Sequence, residues 1–313
     1  MADVLILAIN DWANTGWKYA ECLKSAGVDA LMIKRKPHHF EYPQQGMILS
    51  SIEELAPYAQ QAKVLHYVAS SFFYPGIDIR SKKIICQHGN SLYRENYESV
   101  NAFFNAFCDY AIIQEPDLWD MGALNQVYIS YPVDTETIKP VFESHTPGKR
   151  IFGHFPSSIH TKGSALIWNV LKAEVDNNRG KIEFWYTEDT VPWEENLGRI
   201  SLCDIYIESV QLDIKGKPFG TWGNSAVEAA ALGKIVITND IWRGFYEREY
   251  NRPCEWIIAN NEKELYEAVD MVVGMTESEF MAKKQACRAQ VVGCHSFKAT
   301  GERLVDKIYK NLL

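Results

Sequence analysis

The sequence predicts an α/β protein made of two Rossmann-like halves, and three observations carry that reading. Residues 4–9 form an unbroken apolar run, as expected of a parallel strand covered on both faces. A turn-rich loop over 10–16, a helical stretch through Leu23 that ends near Gly27 and a second apolar run at 30–33 complete a βαβ start. The same strand, loop and helix order begins again over 150–164, and 313 residues suffice for two domains that each bury a core.

Between these starts the chain shows strand-like runs at 64–68, 83–86, 109–115 and 127–135, followed by a Pro-, Gly-, Ser- and Thr-rich linker at 140–149. The second half continues with strands at 181–186, 204–209, 235–237 and 256–260 and a helix over 262–273. In the tail, 296–313, Leu304, Ile308 and Leu312 form one stripe. No G-x-G-x-x-G dinucleotide fingerprint is present.

Composition narrows the function classes. With 47% hydrophobic and 23% charged residues the chain is an ordinary globular one, and a net charge of −8 argues against non-specific grip on nucleic acid. The basic cluster is Lys34-Arg35-Lys36 with His38 and His39, a charge run that is usually a solvated face. Seven scattered cysteines without a C-x-x-C pair read as reduced thiols of a cytoplasmic protein with no zinc site. The run at 4–9 is too short for a signal-peptide core, and no apolar stretch approaches a membrane span. Nine tryptophans and 16 tyrosines suit carbohydrate handling and core packing equally.

The most informative stretch is 218–238. Gly220 and Gly223 allow close backbone approach, Asn224 or Ser225 can cap an alanine-rich helix, Gly233 stands where a left-handed residue ends it, and 235–237 is a buried strand. The free N–H groups of such a helix start suit a phosphate. Glu228, just past the first turn, would be repelled by that phosphate but could accept two hydrogen bonds from a ribose diol; it is equally an ordinary glutamate favoured by the helix dipole. Three other positions invite a ligand. Gly16 opens the first helix, His88 follows a strand at the carboxyl end where open sheets bind ligands, and Lys162-Gly163 stands at a helix start with Ser157 nearby. Each also has a plain reading: a βα turn, a loop histidine and a surface lysine.

Trp222-Gly223 with the run from Glu228 to Val236 resembles the loop and helix of retaining GT-B glycosyltransferases, the large family-four group. That family carries a glutamate, seven intervening residues with an aromatic-Gly pair, and a second glutamate before Ala-Met-Ala-x-Gly-Lys-Pro-Val. Here the second glutamate is Glu228 and the first is replaced by Gly220. His88-Gly89, Pro156-Ser157-Ser158 and Lys162-Gly163 resemble further family segments, while His154 stands where an arginine is usual. The resemblance runs in order over nearly the whole chain and is strongest over 150–240.

It implies two facing Rossmann-like domains with a cleft between them: an acceptor domain over 1–145, a nucleotide-sugar domain over 146–295, and a last helix at 296–313 that crosses back to the first domain or simply packs locally. The implied reaction moves a sugar from a UDP- or GDP-sugar to an acceptor hydroxyl with retention and without metal or other cofactor, no Asp-x-Asp pair being present to hold a metal ion. Lys162 and His88 would be catalytic. Gly16, His154, Ser157, Lys162, Glu208, Ser209, Gly223, Asn224, Ser225 and Glu228 would bind the donor, with residues near Trp185, Glu208 and Ser209 lining base and ribose. The acceptor, a glycan, a lipid-linked glycan or a modified DNA base, is open. Two alternatives stand beside this reading: a viral-type enzyme glycosylating bases in DNA, and a nucleotide-sugar binder without turnover, suggested by Gly220 and His154.

Overall fold

A computed structural model of the chain describes residues 2–38, 40–43, 46–146, 148–178, 180–220 and 222–313. His39 of the basic cluster, Pro147 of the expected linker and Thr221 of the glycine loop lie outside the described residues. The chain divides into two compact units, Met1–Asp134 with His295–Leu313, and Thr135–Cys294.

The first unit is a parallel sheet in the order β3-β2-β1-β4-β5-β6-β7. Its strands are β1 (Val4–Asn10), β2 (Ala30–Lys36), β3 (Met47–Ile48), β4 (Val64–Tyr67), β5 (Lys83–His88), β6 (Tyr110–Ile113) and β7 (Gln126–Tyr128). Val4 stands opposite both Ala30 and Val64, so β1 is hydrogen-bonded on both edges. Because side chains alternate across a strand, β1 feeds two cores. Val4, Ile6 and Ala8 pack with Tyr19 and Leu23 of α1 (Thr15–Ser25) and with Leu304 of the last helix (Phe297–Lys307). Leu5 and Leu7 pack with Leu55 of α2 (Ile52–Gln61) and Phe104 of α3 (Ser91–Phe104). Each such apolar side chain contributes about 1.5–3 kcal/mol of burial.

The second unit repeats the scheme with five parallel strands in the order β14-β13-β10-β8-β9, plus a small hairpin of β11 (Asp213–Ile214) and β12 (Lys217–Pro218). The sheet strands are β8 (Arg150–His154), β9 (Ile182–Tyr186), β10 (Ile205–Ile207), β13 (Ile235–Thr238) and β14 (Ile257–Ile258). Its helices are α4 (Ile159–Lys162), α5 (Ser164–Asn177), α6 (Trp193–Ser201), α7 (Asn224–Ala231), α8 (Phe245–Tyr250), α9 (Glu262–Gly274) and α10 (Glu277–Cys294), which makes the last helix α11. Strand direction of travel reverses between β1 and β4 in the first sheet and between β8 and β10 in the second. Open α/β sheets bind ligands at the carboxyl ends of the strands at such a reversal.

The division between units falls eleven residues earlier than the sequence suggests. Residues 135–145 belong to the second unit because buried groups hold them there. The Val141 N–H donates to the Leu232 carbonyl at 2.9 Å, Lys234 Nζ donates to the Val141 carbonyl at 2.7 Å, and Ser144 Oγ bonds Asp204 Oδ2 at 2.8 Å. So 140–146 is pinned rather than a linker. At the other end His295 joins the first unit, its carbonyl accepting from the Val133 N–H at 2.8 Å.

Candidate functional site

The reversal point of the second sheet gathers residues that are far apart in sequence. Lys162 closes the one-turn helix α4, and its ammonium pairs with Glu208, which follows β10 directly. The Glu208 side chain is 1% exposed and that of Lys162 17%, so the pair is largely out of water. Removing one member of a buried pair costs about 3–5 kcal/mol, since the other charge is left unmatched. Glu208 Oε1 takes the lysine; among the described residues the buried Oε2 has no hydrogen-bond partner.

Gly223 is the third member. A Cβ there would fall on Glu208 Oε1 and lie 3.0 Å from Lys162 Nζ, so only glycine lets the backbone pass this close to the ion pair. Gly223 is also the N-cap of α7, with extended backbone and no side-chain cap. This corrects the expectation that Asn224 or Ser225 caps the helix, because both lie inside its first turn. Asn224 Nδ2 donates to Glu228 Oε1 at 2.5 Å, and Ser225 hydrogen-bonds the buried Tyr206 hydroxyl. Both are half-buried, and α7 begins beside Lys162. At the far end Gly233 is left-handed (φ 75), as its position predicts.

Glu228 is 1% exposed and is held by a residue that sequence reasoning missed. Trp193, the first residue of α6, donates its indole N–H to Glu228 Oε1 at 2.8 Å. No periodicity links positions 193 and 228; only the packing of α6 beside α7 joins them. Together with the Asn224 bond this fixes one carboxylate oxygen by two neutral donors. Ser209 is buried behind Glu208, its Oγ accepting from the Gln211 N–H at 3.3 Å. Ser157 lies exposed in the loop after β8. Trp185, on the edge strand β9, packs edge-on against His145 rather than joining this group.

The geometry corrects one expectation here and accounts for Gly220. His154 is fully buried with both ring nitrogens engaged, Nδ1 with the Ile207 carbonyl at 2.7 Å and Nε2 with Ser164 Oγ at 2.8 Å. Burial pushes its pKa down to about 4, so it is a neutral brace between β8, β10 and α5, not a phosphate contact. Gly220 is buried, and a Cβ there would stand 2.7 Å from Ile241 Cβ; the loop has no room for the carboxylate that the family places there.

In the first unit, Gly16 does not offer its N–H to a ligand. Asp11 takes it at 2.6 Å and the Trp17 N–H at 3.0 Å, so the start of α1 already carries an anion. The expected diphosphate contact at Gly16 is corrected accordingly. His88 ends β5, 1% exposed, with Nδ1 bonded to Ser70 Oγ at 2.9 Å and its ring stacked on Tyr93 at 4.1 Å. Burial pushes its pKa down to about 3; any part it plays is that of a neutral ring. The basic cluster disperses: Lys34 and His38 are buried, Arg35 reaches the Ser50 carbonyl at 2.7 Å, and Lys36 alone of the described members is exposed.

Several solved structures share this architecture over the full chain. The Anabaena protein HepE in complex with UDP and glucose matches with a TM-score of 0.63 at 10% identity, over 99% of this chain and 100% of that one. An alpha-glucosyltransferase in complex with UDP and a 13-mer DNA gives 0.64 at 10% identity, covering 99% and 100%. A glycosyltransferase from Rickettsia africae gives 0.61 at 14%, covering 99% and 98%. The chain has the GT-B fold. No protein-family profile matches the sequence, and no curated protein matches it. At these identities the GT-B likeness is one of architecture, and what the residues do rests on their own geometry.

Proposed function

We propose that this chain is a glycosyltransferase that moves a sugar from a nucleoside diphosphate to an acceptor hydroxyl, with UDP as the nucleotide. The observation that carries the reading is the convergence of Lys162, Glu208 and Gly223 at the start of α7, beside a fixed Glu228. The GT-B neighbours solved with UDP or UDP-glucose support the choice of donor.

In this reading the diphosphate lies on the α7 N–H groups and Lys162. As the bond between the sugar C1 and the phosphate oxygen breaks, these donors take up the developing charge, which is where preorganised electrostatics lowers a barrier most. The acceptor oxygen forms the new bond to C1 on the face the phosphate leaves, and its proton passes to the departing phosphate oxygen, so configuration is retained. The positive charge comes from Lys162 and the amides, and the reaction is proposed to run without metal. Glu228 accepts the ribose hydroxyls. Glu208 Oε2, buried and without a protein partner, accepts a hydroxyl of the transferred sugar, a role the family gives to the glutamate replaced here by Gly220. Ser209, Asn224 and Ser225 shape the same wall.

Thermal unfolding with a panel of nucleoside diphosphates and nucleotide sugars tests this. A ligand at 100 times its Kd stabilises by about 2.7 kcal/mol, a rise of several degrees. A shift with UDP, and release of UDP from UDP-glucose, bear the reading out; a shift without turnover with any acceptor or water leaves a binder without activity, and no shift overturns it. The dispersal of the basic cluster disfavours a nucleic-acid acceptor.

A further inference from the structure

The exposed face of α5 and the end of the edge strand β9 enclose a cavity of about 480 Å³ that shares no residue with the site of Lys162, Glu208 and Gly223. Small-molecule pockets measure about 300–1,000 Å³. Sequence spacing builds both walls. Ala165 and Trp168 stand three apart on one face of α5, and Phe184 and Tyr186 stand two apart on one face of β9, so a helix stripe meets a strand stripe. Where they meet, three rings pack as one block: Trp168 lies 5.3 Å from Tyr186 and 5.9 Å from Phe184, and Phe184 lies 6.0 Å from Tyr186. Trp168 is nonetheless 42% exposed, and it lines the cavity with Tyr186, Ile159 and Ala165.

The polar side of this wall is fixed from behind. Tyr186 stacks on the buried His154 at 5.8 Å, and its hydroxyl donates to Glu188 Oε1 at 2.5 Å, a charge-assisted bond that sets the carboxylate beside the rings. Glu188 lines the cavity, as does His160, while no lysine or arginine does. The surrounding segment is acidic: residues 182–198 hold Glu183, Glu188, Asp189, Glu194 and Glu195 and no basic residue. Lys149 pairs with Glu183 and Arg199 with Glu195. Among the described residues Glu188 has no basic partner, so its charge is met only by the phenol.

Rings and carboxylate select the same kind of ligand. The face of a tryptophan or tyrosine ring is electron-rich, and Glu188 adds a full negative charge next to it, so both attract a cation and both repel an anion. A bare metal ion would need several oxygen ligands, of which this wall offers one carboxylate. Ile159 and Ala165 instead give apolar contact to alkyl groups. We propose that the cavity binds a soluble alkylammonium ion, its methylated nitrogen lying over Trp168 and against Glu188. This site stands apart from the transfer reaction and does not rest on it.

Saturation-transfer NMR on the full chain is the test, run at pH 8, where an ordinary imidazole is uncharged. The probes are choline, its uncharged carbon counterpart 3,3-dimethylbutan-1-ol, and methyl α-glucopyranoside. Choline receives saturation at its methyl signal, and the alcohol, equal in shape, binds about tenfold more weakly because it lacks the charge. Trp168→Ala weakens choline binding about tenfold. Glu188→Gln, which keeps an acceptor for Tyr186, weakens it about threefold to fivefold and makes it less sensitive to salt. Should Trp168→Ala fail to fold, Glu188→Gln decides alone. No saturation of choline, equal binding of choline and the alcohol, binding of the glucoside in place of choline, or binding unaltered in the variants that fold, overturns the proposal. Choline held only as the headgroup of phosphatidylcholine vesicles, read by co-sedimentation, overturns a soluble ligand.

Discussion

Gly223 and Glu208 share one space at the end of β10: a Cβ on residue 223 would coincide with the Glu208 carboxylate that Lys162 holds. Gly223→Ala therefore forces either the ion pair or the start of α7 to move. Overpacking of this kind costs about 1–3 kcal/mol, and a unit of this size loses roughly 2–4 °C of Tm per kcal/mol. A scan should show that drop together with a lost UDP shift. A variant with unchanged Tm and UDP binding would mean that the backbone at 223 takes no part in the site.

Lys162 has a structural and a proposed catalytic task, and a double variant separates them. Lys162→Met leaves the buried Glu208 unmatched and should destabilise by about 3–5 kcal/mol. Adding Glu208→Gln should restore most of that stability, read by urea unfolding, but not transfer. If the double variant turns over donor normally, Lys162 does not stabilise the diphosphate.

Glu228→Gln keeps the Oε1 acceptor that Trp193 and Asn224 use, so the fold should survive. With the charge gone, ribose binding should weaken about tenfold, near 1.4 kcal/mol, by calorimetric titration of UDP. A wild-type Kd would remove Glu228 from the ribose.

Restoring the family's glutamate should harm rather than help. Gly220→Glu places a charged side chain in a buried loop where even a Cβ meets Ile241 at 2.7 Å. The expected result is a Tm lower by several degrees and no gain in turnover, for a loss of about 1–3 kcal/mol or more. A stable variant with higher activity would show that the loop at 220 can open.

Acid should unfold the protein well above the pH at which carboxylates titrate. Burial pushes His66, His88 and His295 down to about 3 and His154 to about 4. With folded values below the unfolded value of about 6.5, the unfolded chain binds more protons, so stability is full above pH 6.5 and falls as pH drops toward 4. Four such groups give a limiting slope of roughly 5 kcal/mol per pH unit. Three lie in the first unit, which should melt first; circular dichroism and tryptophan emission from pH 7 to 4 check this. A flat profile down to pH 5 would contradict the burial of these rings.

The architecture was legible because it depends on local pattern. The apolar run 4–9 reads as a strand covered on both faces, and Gly233 with the alanines before it announces a short helix with a left-handed end. The same patterning pointed to Lys162, Gly223, Asn224 and Glu228, and the family resemblance to Glu208. What the sequence could not show is which polar groups the protein uses up on itself. His154 matched a motif position but spends both nitrogens on Ile207 and Ser164; Gly16 gives its N–H to Asp11; Asn224 turns to Glu228 rather than to the helix start. Trp193 beside Glu228 left no trace in spacing at all. Hydrogen bonds between residues dozens of positions apart are set by how strands are ordered and helices packed, so the chain's own pattern determined the elements and only the tertiary structure decided which side chains remain open to a ligand.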